Sequence, residues 1–207
     1  STANVITDNM VQGNGIDLHH HEQCIGNTWE RNTCETKQGV ECYTANPATA
    51  REGLAAVNSA AAAVAADAQL IFVTPWSVDT TGKSYKWVYI YKSASQQAYY
   101  ELWFHDGQAV RRDSISILWM TPENQLPIPE SWMDSNSALA MAEENGGKTF
   151  RETHSDVSIE INLQGEWANA TEIRSVWYIR YRSEANVEVE VFRYQVIAGP
   201  NVPFEGR

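Results

Sequence analysis

The chain has 207 residues, of which 43% are hydrophobic and 20% charged, as expected of a folded globular protein rather than a disordered one. Its formal net charge of -11 opposes contact with phosphate backbones, so we expect no nucleic-acid partner. No apolar run reaches the length of a membrane-spanning helix, and no signal peptide is present in the sequence. The chain starts at Ser1 without Met, which we interpret as a mature, processed or trimmed N-terminus.

The first 46 residues predict an extended leader, because they are rich in Asn, Gly, Thr and Cys and show neither helical nor strand periodicity. All three cysteines of the chain, Cys24, Cys34 and Cys42, lie in this leader. Their clustering favours one disulfide and an oxidising compartment. A bridge from Cys34 to Cys42 or from Cys24 to Cys42 would fit, and the third cysteine is left free, paired between chains or part of a site.

A possible metal site lies in the same leader. His19, His21 and Cys24 are competent ligands for zinc or copper, and neighbouring residues of a loop can converge on one ion. No C-x-x-C pair and no second downstream His pair accompanies them. Surface histidines, or the remnant of a purification tag, are therefore the favoured interpretation, and we expect no cofactor.

The next segment predicts a helix followed by strands. Asn46 and Pro47 form a helix start, and apolar residues then recur at three- and four-residue steps, so we expect a helix over residues 47–67. A tight turn is expected at Asp106-Gly107. The strands of this segment are predicted at residues 70–73, 85–92, 98–104 and 109–117.

A proline-rich segment, residues 121–133, separates this part from a second helix and its strands. Asp134 or Ser135 is expected to cap that helix, and Asn145-Gly146-Gly147 to end it. Strands are expected at residues 157–164 and 177–183 and from Val187 to Val196. In the last of these the apolar alternation changes phase between Val191 and Phe192, which predicts a bulge or a change of buried face.

One strand occurs twice in the sequence, 90 residues apart (177 − 87): WVYIYKS at residues 87–93 and WYIRYRS at residues 177–183. Internal similarity of this kind indicates a duplicated structural unit. The positions predicted to face the core, because they are apolar or aromatic in both copies, are Trp87, Tyr89, Tyr91, Trp177, Ile179 and Tyr181. The positions expected on the exposed face are Val88, Ile90, Lys92, Tyr178, Arg180 and Arg182.

The predicted fold class is therefore α+β, with two tandem units of a helix and an antiparallel meander, and each helix packed on one face of its sheet. The two sheets can join edge to edge into one continuous curved sheet. The predicted organisation is an extended leader at residues 1–46, a first repeat at 47–120, a linker at 121–133 and a second repeat at 134–207.

Residues 137–142, 175–181 and 192–199 of the second copy, with 105–110 of the first, resemble the opening helix, central strand and closing turn of the PepSY unit of secreted and periplasmic bacterial proteins. The tandem arrangement also resembles the beta-lactamase inhibitory protein family, whose concave sheet carries aromatic residues. These resemblances imply binding or inhibition outside the cytoplasm. Neither family provides a catalytic motif that could be carried over to this chain.

The sequence gives little support for catalysis. It contains no G-x-S-x-G motif and no phosphate-binding loop. His105 stands beside Asp106 in a turn, and His154 lies in a polar connection with no obvious partner. We therefore do not expect an enzyme, and a metal-dependent hydrolase is the least favoured function.

The aromatic residues are more numerous than a small core requires, with eight Trp, nine Tyr and five Phe. Six of the eight Trp residues fall outside the repeated strands, among them Trp76, Trp103, Trp119, Trp132 and Trp167. We predict a concave binding face formed by Tyr99, Tyr100, Trp103 and Tyr178, with Arg180 and Arg182 on the basic surface of the second copy. The alternative, that these aromatics only pack helix against sheet, stays open.

The leading functional hypothesis is a non-enzymatic binding module that engages a protein partner through this aromatic face, with inhibition of that partner as one mode of action. It would be periplasmic, exposed on the cell surface, secreted or held by a lipid tether. The alternative is a structural or accessory subunit of a larger envelope or membrane-associated assembly.

Overall fold

A computed structural model describes residues 46–112, 125–183 and 190–203, and the backbone of six short strands between residues 5 and 38. The chain divides into two compact units, Ser1–Asn46 and Pro47–Arg207. No helix among the described residues combines the length and the hydropathy needed to cross a membrane.

The described residues of the first unit form six short strands, which the prediction of an extended leader without strands did not anticipate. They are β1 (Val5–Thr7), β2 (Met10–Val11), β3 (Leu18–His19), β4 (Thr28–Glu30), β5 (Thr33–Cys34) and β6 (Lys37–Gln38). They pair in parallel, β1 with β4, β2 with β5 and β3 with β6. Strands that each pair with a strand about 20 residues later follow the pattern of two successive turns of a solenoid. Strands of two or three residues are too short to show the alternation of apolar and polar residues that indicates a strand, so this pattern is hard to predict from the sequence.

The other elements of the described residues belong to the second unit. Its helices are α1 (Leu54–Val64), α2 (Ser135–Ala142) and α3 (Lys148–Thr153), the last two joined by a π-helical turn at Glu143–Gly147. Its strands are β7 (Gln69–Pro75), β8 (Lys86–Ser93), β9 (Ala98–His105), β10 (Gln108–Arg112), β11 (Val157–Trp167), β12 (Glu172–Ser183), β13 (Glu190–Ile197) and β14 (Val202–Pro203).

These eight strands form one antiparallel sheet in the order β10-β9-β8-β7-β11-β12-β13, with β14 paired to β12. The two repeats meet where β7 pairs with β11, Val73 opposite Leu163. The predicted α+β class, a helix packed on an antiparallel meander, is confirmed. The two meanders join edge to edge through the first strand of each.

The main core lies between the helices and one face of the sheet, and the predicted core positions of the repeated strand are all buried there. Ile128 and Trp132, from the proline-rich segment, belong to the same core, and the Ile128 N–H donates to the Leu70 carbonyl over 2.7 Å. The described part of that segment, residues 125–133, is therefore packed against both repeats.

The first helix begins later than predicted. Ala48 forms an antiparallel bridge with Ser84, with both N–H···O bonds at 2.9 Å, so the chain next to Pro47 is paired with a turn of the sheet instead of being helical. The Thr49 N–H donates to the Glu52 side chain over 2.7 Å, which is half of a capping box. The helix itself starts at Leu54, after a turn that this bond closes.

Two further predictions about local structure differ from the fold. The register of β13 against β12 is regular from Glu190 to Ile197, so no bulge or change of face occurs between Val191 and Phe192. The irregularity instead lies in β7, between Leu70 and Phe72. The second helix does end before Gly146, which has φ +121°, but a further helical segment, α3, follows it.

Candidate functional site

The sheet has two faces with different chemistry. Side chains alternate across each strand, so the neighbours of the core-facing residues point to the opposite surface, here named the outer face. In the first repeat the outer face carries a second buried cluster of Ile71, Phe72, Val88, Ile90 and Trp103. Val88 and Ile90 are thus buried, contrary to the prediction that this face of the repeated strand is exposed. In the second repeat the same face is polar and solvent-accessible.

A groove of about 620 Å³ lies on the outer face of the second repeat. The exposed indole of Trp76 and the ring of Tyr178 line it together with amide, carboxylate and guanidinium groups. Trp76 is 58% exposed, the largest value among the described large hydrophobic side chains. Other lining residues on the outer face are Thr74, Glu160, Asn162, Gln164, Arg180, Arg193 and Gln195.

A charged row crosses three strands of the groove. Glu160 on β11 lies opposite Arg180 on β12, which in turn lies opposite Arg193 on β13. Arg180 donates to the Glu160 carboxylate through both Nε, at 2.7 Å, and Nη2. The row therefore contains two guanidinium groups and one carboxylate.

The neighbouring row is uncharged. It places Asn162, Tyr178 and Gln195 opposite one another on the same three strands. Gln164 donates to the Asn162 side chain over 2.6 Å, which fixes the orientation of that amide. The groove thus offers hydrogen-bond donors and acceptors beside two aromatic surfaces, a combination typical of specific binding sites.

Trp76 is supported by a stack of cations and indoles. The Lys86 ammonium lies 4.2 Å from the Trp76 ring centroid and 4.1 Å from that of Trp103, and the Arg112 guanidinium lies 4.2 Å from Trp103. The Trp103 Nε1 donates to the Glu101 carboxylate. Since Lys86, Glu101 and Trp103 are buried, this stack holds the exposed Trp76 against a rigid base.

The predicted binding residues separate into two groups. Tyr178 and Arg180 line the groove, and Arg182 follows on the same face of β12. Trp103 is buried beneath Trp76, and Tyr99 lies half-buried on the outer face of the first repeat.

Tyr100 does not belong to the predicted binding face. It packs in the main core on the helix side, where its hydroxyl donates to Gln96. The grouping of Tyr99 with Tyr100 was wrong because consecutive residues of a strand point to opposite faces.

The groove also contains residues that the sequence did not single out as binding residues. Trp76 follows the last residue of β7, where alternation gives no indication of exposure. Arg193 and Gln195 alternate with the core-packed Phe192 and Tyr194, a signal that was available but was obscured by the expected bulge.

The predicted metal and disulfide residues are only partly described. The backbone of His19 lies in β3 and that of Cys34 in β5, whereas His21, Cys24 and Cys42 lie outside the described residues. Both interpretations therefore stay predictions. In the described part of the chain, no group of three or more His, Cys, Asp or Glu side chains is arranged to hold a metal ion.

His154 has partners, contrary to the sequence interpretation. Its ring stacks on Phe150 with centroids 4.1 Å apart, Nδ1 lies 2.8 Å from the Phe150 carbonyl, and Nε2 contacts the Glu190 carboxylate. The backbone hydrogen bond to Phe150 raises the pKa of His154 despite partial desolvation, and Glu190 adds to this effect. Because both ring nitrogens face acceptors, the geometry favours the imidazolium, which connects the end of α3 to β13.

In comparisons with known proteins, the chain matched no protein-family model, no curated protein and no solved structure.

Proposed function

We propose that the protein is a non-enzymatic binding module that engages a protein partner through the groove on the outer face of its second repeat. The observation that carries this proposal is the exposed Trp76 at the edge of a groove that also contains Tyr178 and Arg193. Trp, Tyr and Arg are the residues most enriched among binding hot spots.

The rigidity of the groove supports the same proposal. Its floor is a hydrogen-bonded sheet, and Trp76 rests on the stack that Lys86 and Trp103 form beneath it. A preformed surface loses little conformational freedom on binding, so more of the contact energy appears as affinity.

The location outside the cytoplasm, and an inhibitory mode of action, belong to the same proposal and rest on the resemblance to PepSY units and on the three clustered cysteines. A partner in the cell envelope or the surrounding medium would fit both features.

The test is quantitative capture of partners on the immobilised complete chain from an envelope extract of the native host. The variant Trp76→Ala should reduce capture of the specific partner about tenfold or more, as loss of a hot-spot Trp does. Trp167→Ala is the matched control, since Trp167 is 49% exposed but lies outside the groove. If no captured protein distinguishes the two variants, the proposal is wrong.

One observation favours a second candidate function, a subunit of a larger assembly. In the part of the first unit that the structure describes, each of the six strands has one parallel partner. The other edge of each strand can accept a further strand from a neighbouring molecule. Sedimentation of the complete chain at several concentrations, with and without reducing agent, tests this candidate, and a strict monomer under all conditions would exclude it.

A further inference from the structure

The strand β13 ends the sheet on the side of the second repeat. In the part of the chain that the structure describes, β12 is its only strand neighbour. Its register is regular over its whole length, without the bulges that protect many edge strands. It also exposes Val191 and Ile197, which are 37% and 57% accessible. A regular edge strand with exposed apolar side chains is suited to pairing with another extended segment.

The outer face of this strand carries an unbalanced charge. Arg193 lies directly opposite Arg180, and like charges at opposed positions of a sheet destabilise it. Glu160, on the far side of Arg180, accepts hydrogen bonds from Arg180, so this row of described residues holds one carboxylate for two guanidinium groups. A second carboxylate next to Arg193, on the side away from Arg180, would restore the balance within the row.

We infer that an extended, acidic segment of the partner adds as a further strand to β13 and places a carboxylate against Arg193. This inference rests on the proposed function, because the same segment would reach the groove through Arg193 and Gln195. Residues on one face of a strand recur every second position. An apolar side chain two residues from the carboxylate on one side would therefore meet Val191, and one four residues away on the other side would meet Ile197.

Charge favours such a segment over a second copy of this chain. Each copy carries a formal net charge of -11, so two copies repel each other at long range. Among the described residues, Arg193 lies beside Arg180 on the outer face near β13, with Glu160 as the one carboxylate of their row. A short acidic segment therefore gains attraction at this edge without bringing a second large negative charge.

The probe is a short, capped peptide in which glutamate is flanked by alternating threonine and valine. Titration of the complete chain should shift the arginine Nε–H NMR signal of Arg193 and slow amide hydrogen exchange along β13. Replacing the glutamate of the peptide by glutamine should weaken binding about tenfold, because charge-assisted hydrogen bonds are lost. N-methylation of the peptide amides that would pair with β13 should abolish binding.

The matched protein variants are Arg193→Gln, which should weaken binding about tenfold, and Arg174→Gln, which should leave it unchanged. Arg174 lies on the neighbouring strand β12 and pairs with Glu166 at 3.7 Å, outside the groove. Far-UV circular dichroism checks that both variants keep the secondary structure of the parent protein. With the fold unchanged, a loss of binding is due to the missing guanidinium.

Four results would overturn the inference. They are equal affinity for the glutamate and glutamine peptides, unchanged affinity of Arg193→Gln, binding that survives N-methylation, and a stronger response to polygalacturonate, which would assign the face to an acidic saccharide. Failure here is distinguishable from failure of the proposed function. Capture that depends on Trp76 but is unaffected by Arg193→Gln would leave the binding module in place and remove only the acidic strand.

Discussion

The repeated Trp and Tyr residues make equivalent bonds in the two repeats. The Trp87 indole N–H donates to the Ala48 carbonyl over 2.8 Å, and that of Trp177 donates to the Met133 carbonyl over 2.7 Å. Each carbonyl lies in the segment that leads into the first helix of its own repeat. The Tyr91 and Tyr181 hydroxyls likewise each donate to a side chain of the helical layer. The duplicated sequence thus preserves the bonds that attach each helical layer to its sheet.

The variant Trp177→Phe should lower the free energy of unfolding by about 1–3 kcal/mol, because it removes the donor to a carbonyl beside the core. Trp87→Phe should cost a similar amount, since it loses the equivalent bond. Trp167→Phe, at an exposed position, should change stability by about 0.5 kcal/mol or less. Urea unfolding of the three variants measures these differences, and equal stability of all three would contradict the structural role of the indole bonds.

Asp67 organises the turn between β8 and β9. It accepts from the Ser93 hydroxyl at 2.7 Å and from the Ser95 N–H at 2.7 Å, and these bonds, that of Ser93 first, lower the pKa of Asp67 to about 2. The folded pKa lies below that of the unfolded chain. The carboxylate therefore stabilises the fold above about pH 4, and this contribution is lost as the pH falls towards 2.

A carbon-detected NMR titration of the side-chain carboxyls should find Asp67 with a pKa of about 2. Ser93→Ala should raise that pKa, because it removes the strongest of the bonds. The Asp67→Asn variant should be less stable than the parent protein at pH 4. This difference in the free energy of unfolding should become smaller as the pH falls from 4 to 2. An ordinary aspartate pKa in the parent protein would refute the role of this turn.

At the scale of elements, local sequence patterns predicted those features that depend on neighbouring residues alone. The alternation of residues 157–164, the turn at Asp106-Gly107 and the Asp134 cap all occur as expected, because each depends on a few neighbouring residues. The start of α1 was predicted too early because a tertiary bridge, Ala48 with Ser84, replaces helical bonds at that point. Ser84 is distant from Ala48 in sequence, so no local pattern could indicate that the two residues pair.

The candidate site was only partly predictable for the same reason. The alternation of faces along the repeated strand was enough to predict that Tyr178 and Arg180 lie on the same exposed face. Trp76 joins them only because β7 pairs with β11, a contact between residues about 90 positions apart. The groove is a product of this junction, and its complete lining cannot be derived from either repeat alone.

Close contact also constrains the π-helical turn that leads into α3. A Cβ added at Gly147 would lie 2.5 Å from the Tyr181 ring and hydroxyl and 2.9 Å from the Ala142 carbonyl. Gly147→Ala should therefore lower the free energy of unfolding by about 1–3 kcal/mol through overpacking, and should disturb the hydrogen bond from Tyr181 to Glu143.

The control is Gly107→Ala, where a Cβ meets no atom within 4 Å and the residue has φ +73°. Only backbone strain of about 1 kcal/mol is expected there. The double variant Gly147→Ala with Tyr181→Phe should recover part of the loss, because it removes the clashing hydroxyl. Thermal unfolding compares the variants, and a Gly147→Ala variant as stable as the parent would show that the turn relaxes without cost.

At the scale of the whole molecule, the two repeats share both a sheet and a core. The β7–β11 pair makes the sheet continuous, and the Trp87 and Trp177 rings meet edge to face with centroids 6.3 Å apart. Trp132, from the segment between the repeats, contacts Trp177 in the same way at 6.0 Å. Aromatic pairs of this geometry add to area burial, so each repeat stabilises the other.

Residues 47–207 should therefore unfold in one cooperative transition, although the sequence consists of two repeats. Tryptophan fluorescence and far-UV circular dichroism should give coincident urea curves, and Val73→Ala should shift both by the same amount, since Val73 is buried at the junction. A fragment of residues 47–133 should lack protected amides, because it leaves the core face of β7 and Trp87 without the second repeat. Two separate transitions, or a folded 47–133 fragment, would mean that the junction joins two independently stable domains, and the groove that spans it would then be a movable site.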